Sequence, residues 1–295
     1  MWKFIVDPAL VAAYRRDGAV CLRSCFGDSW IRVLNQGVDR NIVNPGKYFS
    51  DFTARADTSR AIKDDFSWER IPEYQQFFYS SPAAEYAAQL MGANEVCFLE
   101  DQYFQKEAGS STRTPWHQDQ PYYNIRGRWC VMWIPLDPVM QSDSLNFIAG
   151  SHLWRRLFSP TTFSESDGDA YGGYDPPAGL EKMIDIDADR DKYVILNWAL
   201  QPGDCIVFHP CTIHGNDGNH SAGRARRLSM RWGAEDLFYD REAYPWVGLR
   251  DDHGLRSGDR VVGPKFPLVW TSTAGLIRGA DAGDVTGADA TGTTT

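Results

Sequence analysis

Hydrophobic and polar positions follow two different rhythms along this chain, and the change falls near residue 94. Before it, apolar residues recur at helical spacing. Leu10, Val11, Ala13 and Tyr14 form a stripe behind Asp7 and Pro8, an N-cap and first-turn pair, so the pattern predicts a first helix ending before Gly18. AVCLRSCF reads as a short strand, SWIRVLNQGVDRNI as a second helix, and Glu69 to Met91 as one or two more helices broken at Ser81-Pro82. From Glu95 the segments EVCFLEDQYFQK, RWCVMWIPLD, DSLNFIAG, YVILNWAL, DCIVFHPCTIHG and RRLSMRWGAED are short, rich in β-branched and aromatic residues, and separated by Gly, Pro and Asp turns. The expectation is a mainly β fold with flanking helices, its sheets forming a sandwich or barrel.

Two segments stand outside this rhythm. Residues 159–190 are acidic and rich in Gly and Pro, a length of loop that reads as a lid or a mobile segment. The last stretch, GADAGDVTGADATGTTT, has no apolar period and is expected to be disordered. The organisation predicted is one domain over 1–273, with a helical part to about 93, a β core over about 94–236, a closing segment over about 237–273, and a tail from 274.

Composition narrows the function. The 295 residues are 43% hydrophobic and 23% charged, enough for a sizeable core without staples. A formal net charge of -9 argues against a nucleic-acid partner, which needs a basic footprint. The six cysteines form no CxxC pair, and the N-terminal apolar run is broken by Asp7, Arg15 and Arg16. Reduced thiols and no membrane span point to the cytoplasm.

The candidate chemistry begins in TPWHQDQPYY. His117 and Asp119 form an HxD pair that is weak evidence alone, but they stand where a strand should end and alternation would turn both to one face. A third ligand is available in QPGDCIVFHPCTIHGN, where a Pro-Gly turn launches an apolar strand with His214 at its far end. Two imidazoles and one carboxylate on one face of a metal suit Fe(II) and leave the opposite positions open. A structural zinc site would favour four ligands and thiolates, and no HExxH is present. His152, His209, His220 and His253 read as local or packing histidines.

With these pieces in order, from the DGAVCLR strand through LEDQYFQKEAG, WHQD, VMWIPLD, FIAGSH, QPGDCIVFHPCTIHG and HGNDGNHSAGRARRLSMRW, the chain resembles the phytanoyl-CoA dioxygenase family of Fe(II)- and 2-oxoglutarate-dependent oxygenases over about Val6 to Asp236. The resemblance implies a double-stranded β-helix core of the jelly-roll or cupin type. It also implies Fe(II) on His117, Asp119 and His214, 2-oxoglutarate as cosubstrate, O2 as oxidant, and hydroxylation of a small-molecule substrate with succinate and CO2 as coproducts. An arginine about eleven or twelve residues beyond the distal histidine should grip the far carboxylate of 2-oxoglutarate, and Arg224, Arg226, Arg227 and Arg231 are the candidates. In RARRLSMRW, Leu228, Met230 and Trp232 share a face with Arg226, and if that apolar face points into the barrel then Arg226 is the inward arginine and Arg227 faces solvent. Gln118, Trp133 and Asn216 match places that line the cosubstrate pocket. Asn216 stands where Ser is common, Ala149 where Pro often precedes the GSH turn, and one extra residue separates Asn219 from Arg226.

Retention of Asp119 favours hydroxylation over halogenation, since halogenating relatives replace this carboxylate with a small residue. Desaturation, cyclisation and epimerisation use the same cofactors. Readings from other classes are a jelly-roll binding protein without turnover and a cupin-type metal hydrolase or isomerase. Trp116, Tyr122, Tyr123 and Trp129 are candidate wall residues for a substrate, although strand aromatics more often belong to a core. No basic cluster marks a CoA site, so a small metabolite or natural-product intermediate is expected.

Overall fold

The computed structural model describes residues 3–53, 58–160, 179–242, 249 and 252–277. In chain order these form α1 (Pro8–Asp17), β1 (Ala19–Leu22), α2 (Asp28–Val43), β2 (Ser50–Asp51), β3 (Ala61–Asp65), α3 (Pro72–Ser80), α4 (Ala83–Met91), β4 (Glu95–Lys106), β5 (Thr114–His117), β6 (Ile125–Arg126), β7 (Trp129–Pro135), β8 (Asn146–Ile148), β9 (Ile195–Leu196), β10 (Cys205–Phe208), β11 (His214–Asn216), β12 (Ala225–Ala234), β13 (Phe238–Tyr239), β14 (Leu268–Thr271) and β15 (Gly275–Leu276). The expected mainly β fold with flanking helices is what forms. The first helix begins where the Asp7 carboxylate accepts the Ala9 N–H at 2.8 Å, and it ends at Gly18 with φ of 82°, a left-handed conformation that a residue without Cβ adopts freely.

The large sheet runs β1-β10-β7-β12-β4-β14-β15, with β3 and β2 added where β4 extends beyond β14. A smaller sheet of order β5-β11-β8-β9 faces it, and β13 pairs with β6. The two facing sheets are the jelly-roll pair. Both faces of the large sheet are buried. On the outer face Val96, Phe98, Met132, Ile134, Leu228, Met230 and Trp232 pack with residues of α1 to α4; on the inner face Leu99, Val131, Trp133, Ile206 and Phe208 meet Phe147 of the smaller sheet. The large sheet is thus a middle layer, with the helices on one face and the smaller sheet on the other.

Three sequence expectations need adjustment. The N-terminal part contains β2 and β3 as well as helices; AIKDD is too charged to read as a strand, yet it pairs along β4 from Ala61↔Lys106 to Asp65↔Gln102. The single strand expected over DCIVFHPCTIHG is two strands in different sheets, β10 and β11, joined by a turn. Residues 275–276 of the expected tail pair with β14, while 278–295 lie outside the described residues. The closing segment supplies β14 to the edge of β4 and packs Val261 and Phe266 into the core between the sheets. Of the loop read as a lid, residues 161–178 also lie outside the described residues. Among the described residues no helix is long and apolar enough to cross a membrane.

Candidate active site

His117 is the last residue of β5 and His214 the first of β11, and the two are antiparallel partners in the smaller sheet. Their imidazole centroids lie 4.1 Å apart. Asp119 is not on the strand. It sits in a right-handed helical conformation at the start of a 3₁₀ turn, so the chain curls just after His117 and returns the carboxylate to the histidines. The turn between β10 and β11 holds both halves together, because the Pro210 carbonyl accepts the Asp119 N–H at 2.8 Å. That turn is fixed in its own right: the Gly18 carbonyl accepts the His209 N–H and the Thr212 hydroxyl, and Ser151 of the GSH motif accepts the Ile213 N–H at 2.9 Å.

In this arrangement Asp119 Oδ1 lies 3.3 Å from His117 Nε2 and 3.5 Å from His214 Nε2, and one ligand atom from each residue falls within 4.8 Å of the others. Each imidazole turns Nδ1 to a backbone carbonyl, Pro115 at 2.8 Å for His117 and Thr212 at 2.9 Å for His214. Carbonyls only accept, so Nδ1 carries the proton and Nε2 presents its lone pair to the shared space. Burial and the neighbouring His117 push the His214 pKa down to about 3, which keeps that ring neutral. Burial by itself would raise the Asp119 carboxyl, but the Arg231 guanidinium and the two imidazoles outweigh it and hold the group well below the usual carboxylate range. Two imidazole nitrogen donors and an ionised oxygen donor fit a divalent metal ion such as Fe(II).

The three side chains open into a cavity of about 280 Å³ between the sheets. The inner face of β12 contributes Arg227, Ser229 and Arg231 to its wall. The expectation for Arg226 is therefore corrected. Its side chain lies outside the cavity, where Nε and Nη2 donate to the Asp137 carboxylate at 3.1 and 2.8 Å and Nη1 approaches Asp39 of α2. Alternation along β12 is as read, but the apolar face turns to the helices, because the sheet has a hydrophobic layer outside it as well as within. Arg227 is the inward residue, 6% exposed, with its guanidinium 5.3 Å from the Trp133 ring centroid and Nη1 donating to the Arg226 carbonyl. Burial lowers its pKa to about 10, and among the described residues no carboxylate pairs directly with it, although Asp137 and Asp143 act on it from farther away.

The remaining candidates divide. Trp133 and Asn216 line the cavity, and the Asn216 amide is fixed by donating to the Asp143 and Ser144 carbonyls while Lys106 donates to its oxygen at 2.9 Å. Gln118 does not reach the cavity. Standing between two inward residues, it faces the opposite way, donates to the Arg156 and Cys211 carbonyls and accepts the Phe158 N–H, a structural clamp. Tyr122 and Tyr123 are wall residues; Trp116 instead bonds Asp187, and Trp129 is core with its indole N–H on Gln120. Sequence reasoning missed Lys63 and Asp65 of β3, Gln102 and Lys106 of β4, and Asp143, and it passed over Arg231 in favour of Arg226. A signal existed for β4, where Glu100, Gln102 and Lys106 place polar groups on one face of a strand rich in apolar and aromatic residues.

A jelly roll whose smaller sheet brings a His-Asp-His set to the floor of an inter-sheet cavity is the class of protein these observations define. The pattern of the phytanoyl-CoA dioxygenase (PhyH) family matches residues 14–228, and the chain belongs to that family. The dioxygenase FrzG of Cladobotryum sp is 23% identical over 287 residues, covering 91% of this chain and 87% of that one. Peroxisomal phytanoyl-CoA dioxygenase of Rattus norvegicus is 24% identical over 141 residues, 45% of this chain and 37% of that protein, so the match spans well under half of the animal relative's length. Among solved structures, the epimerase SnoN in complex with Fe3+, alpha ketoglutarate and nogalamycin RO superimposes with a TM-score of 0.70 at 21% identity, covering 89% of this chain and 99% of SnoN. The non-heme alpha ketoglutarate dependent carbocyclase SnoK from nogalamycin biosynthesis gives 0.70 at 19%, covering 89% and 96%. At these identities the structural likeness concerns the fold.

Proposed function

We propose that this protein is an Fe(II)- and 2-oxoglutarate-dependent dioxygenase that hydroxylates a small-molecule metabolite or natural-product intermediate. The observation that carries the reading is the convergence of His117 Nε2, Asp119 Oδ1 and His214 Nε2 on one point of a cavity whose wall also holds a buried guanidinium, Arg227. When bound, ferrous iron with 2-oxoglutarate and O2 supplies the oxidising power to attack an unactivated C–H bond. The chain's own residues provide the rest. His117, Asp119 and His214 hold the metal from one side, with the imidazole tautomers set by the Pro115 and Thr212 carbonyls. Arg227 takes the role expected of Arg226: its planar fork suits the far carboxylate of the cosubstrate, and the Trp133 face orients it. Trp133, Leu145 and Phe208 give the cavity an apolar lining that limits water. A cytosolic setting belongs to the same reading, supported by six cysteines that are all free thiols.

The size of the cavity, about 280 Å³, favours a compact substrate over a CoA thioester. The test is anaerobic addition of Fe(II) and 2-oxoglutarate, for which a weak visible charge-transfer band is expected, lost in Asp119→Ala and weakened in Arg227→Ala. Panels of free acids and acyl-CoA thioesters, followed by succinate release, then define the substrate; a product that gains one oxygen atom supports hydroxylation, and one that loses two hydrogens marks desaturation. Unchanged turnover in Asp119→Ala would remove the ligand assignment.

A further inference from the structure

Behind Asp119 lies a buried ionic arrangement that none of the roles above uses. Arg231, 5% exposed, stands between two carboxylates: Nη2 lies 3.1 Å from Asp119 Oδ2 and Nη1 lies 2.9 Å from Glu100 Oε1. Tyr123 donates its hydroxyl to Glu100 Oε1, and the Arg231 guanidinium lies 5.1 Å from the Tyr123 ring centroid. Glu100 is fully buried. A β-bulge helps to produce this grouping: the register of β12 on β4 shifts between Arg231, opposite Glu100, and Trp232, opposite Phe98, so Leu99 is the extra residue.

The two oxygens of Asp119 are therefore unequal. Oδ1 faces both histidine Nε2 atoms at 3.3 and 3.5 Å, and Oδ2 is engaged by the guanidinium. Building on the metal site proposed above, we infer that Arg231 is a positioning residue that restricts Asp119 to one ligand oxygen, keeping open the coordination position a two-oxygen carboxylate would fill. The requirement is stoichiometric. Three protein ligand atoms leave three positions of an octahedron, two for a chelating 2-oxo acid and one for oxygen, whereas a bidentate Asp119 leaves two. A cation beside a metal site also repels the metal, so an arginine there needs a compensating purpose and a partner on its other side; Glu100, 2.9 Å from Nη1, supplies the second.

The experiment uses the full chain loaded with Co(II), whose visible absorption reports coordination, and reads three quantities separately: Co(II) affinity, 2-oxoglutarate affinity of the Co(II) protein, and the unfolding midpoint without metal. The decisive variant is the double substitution Arg231→Met with Glu100→Gln, which removes the guanidinium together with its partner on the far side, so that bound Co(II) is left to compensate the Asp119 carboxylate. Co(II) affinity is expected to hold or rise as a repelling charge disappears and both Asp119 oxygens become available. The 2-oxoglutarate affinity is expected to fall by about 10- to 100-fold, the size of one lost contact to a charged group. An unchanged 2-oxoglutarate affinity overturns the inference. So does a joint loss of Co(II) and 2-oxoglutarate binding with a lowered unfolding midpoint, the mark of a merely structural ion pair. If the double variant does not fold, Arg231→Lys, which keeps the charge but not the fork, is judged by the same split. Failure of the parent protein to bind Co(II) is a different result, and it removes the metal-site reading itself.

Discussion

On its outer face β12 presents Leu228, Met230 and Trp232 to a core completed by helices; on its inner face, one residue out of step, it presents Arg227, Ser229 and Arg231 to a cavity. Both faces are buried to a similar degree, but by different means. The outer side chains need only shape and volume, and each contributes about 1.5–3 kcal/mol by leaving water. The inner ones are polar and nearly as dry, so each needs a partner: Arg231 has two carboxylates, and Arg227 has an aromatic face, a carbonyl and, in the reading above, a ligand. Depth alone does not distinguish core from site. The chemistry on each face does.

The comparison is broken most severely from the outer face. Trp232→Ala is expected to lower unfolding stability by about 3–5 kcal/mol in a denaturant titration, while the protein that remains folded binds 2-oxoglutarate as before. From the inner face, Arg227→Ala is expected to cost about 2–4 kcal/mol of cosubstrate binding, roughly 30- to 1,000-fold in affinity by calorimetry, with a smaller change in stability. Arg226→Ala sharpens the contrast between neighbours. It loses the two-point pair with Asp137 and should reduce stability by about 1–2 kcal/mol, leaving 2-oxoglutarate affinity within twofold of about the parent value. If Arg226→Ala instead abolishes cosubstrate binding while Arg227→Ala does not, the assignment of faces is wrong.

The inner face also carries a pH dependence. Burial raises Glu100 from an ordinary 4.5 to about 7, against the opposing pull of Arg231 and the Tyr123 hydroxyl. A carboxyl raised in this way keeps its proton where the unfolded chain has released it. Its stabilising contribution is thus full below about pH 4.5 and is lost as pH rises through about 7. Glu100→Gln removes the dependence, so the unfolding midpoint of the variant minus that of the parent should increase between pH 5 and pH 8. A flat difference would show Glu100 ionised throughout that range.

The elements that could be read from the chain are those whose signals are local. Asp7 and Gly18 bound α1 because a side chain and a backbone conformation act within a few residues, and the break at Ser81-Pro82 separates α3 from α4 for the same reason. The strand β3 escaped notice because Lys63, Asp64 and Asp65 look solvated until β4 pairs with them and closes the cavity over Lys63 and Asp65. The convergence of His117 and Asp119 was anticipated from strand alternation, yet it is produced by a 3₁₀ turn and a hydrogen bond to Pro210. Gln118 could have been placed correctly, since a residue between two inward ones must point away.

By itself, then, the sequence determined the period of each element, the residue types able to serve as metal ligands, and which residues of β12 share a face, because these follow from backbone geometry over a few residues. Only the tertiary structure decided which face is inside, which arginine meets the cavity, and which carboxylates stand beside Arg231. Those outcomes depend on a layer of helices covering the large sheet and on a one-residue bulge opposite Arg231, and the contacts that fix them join residues more than a hundred positions apart.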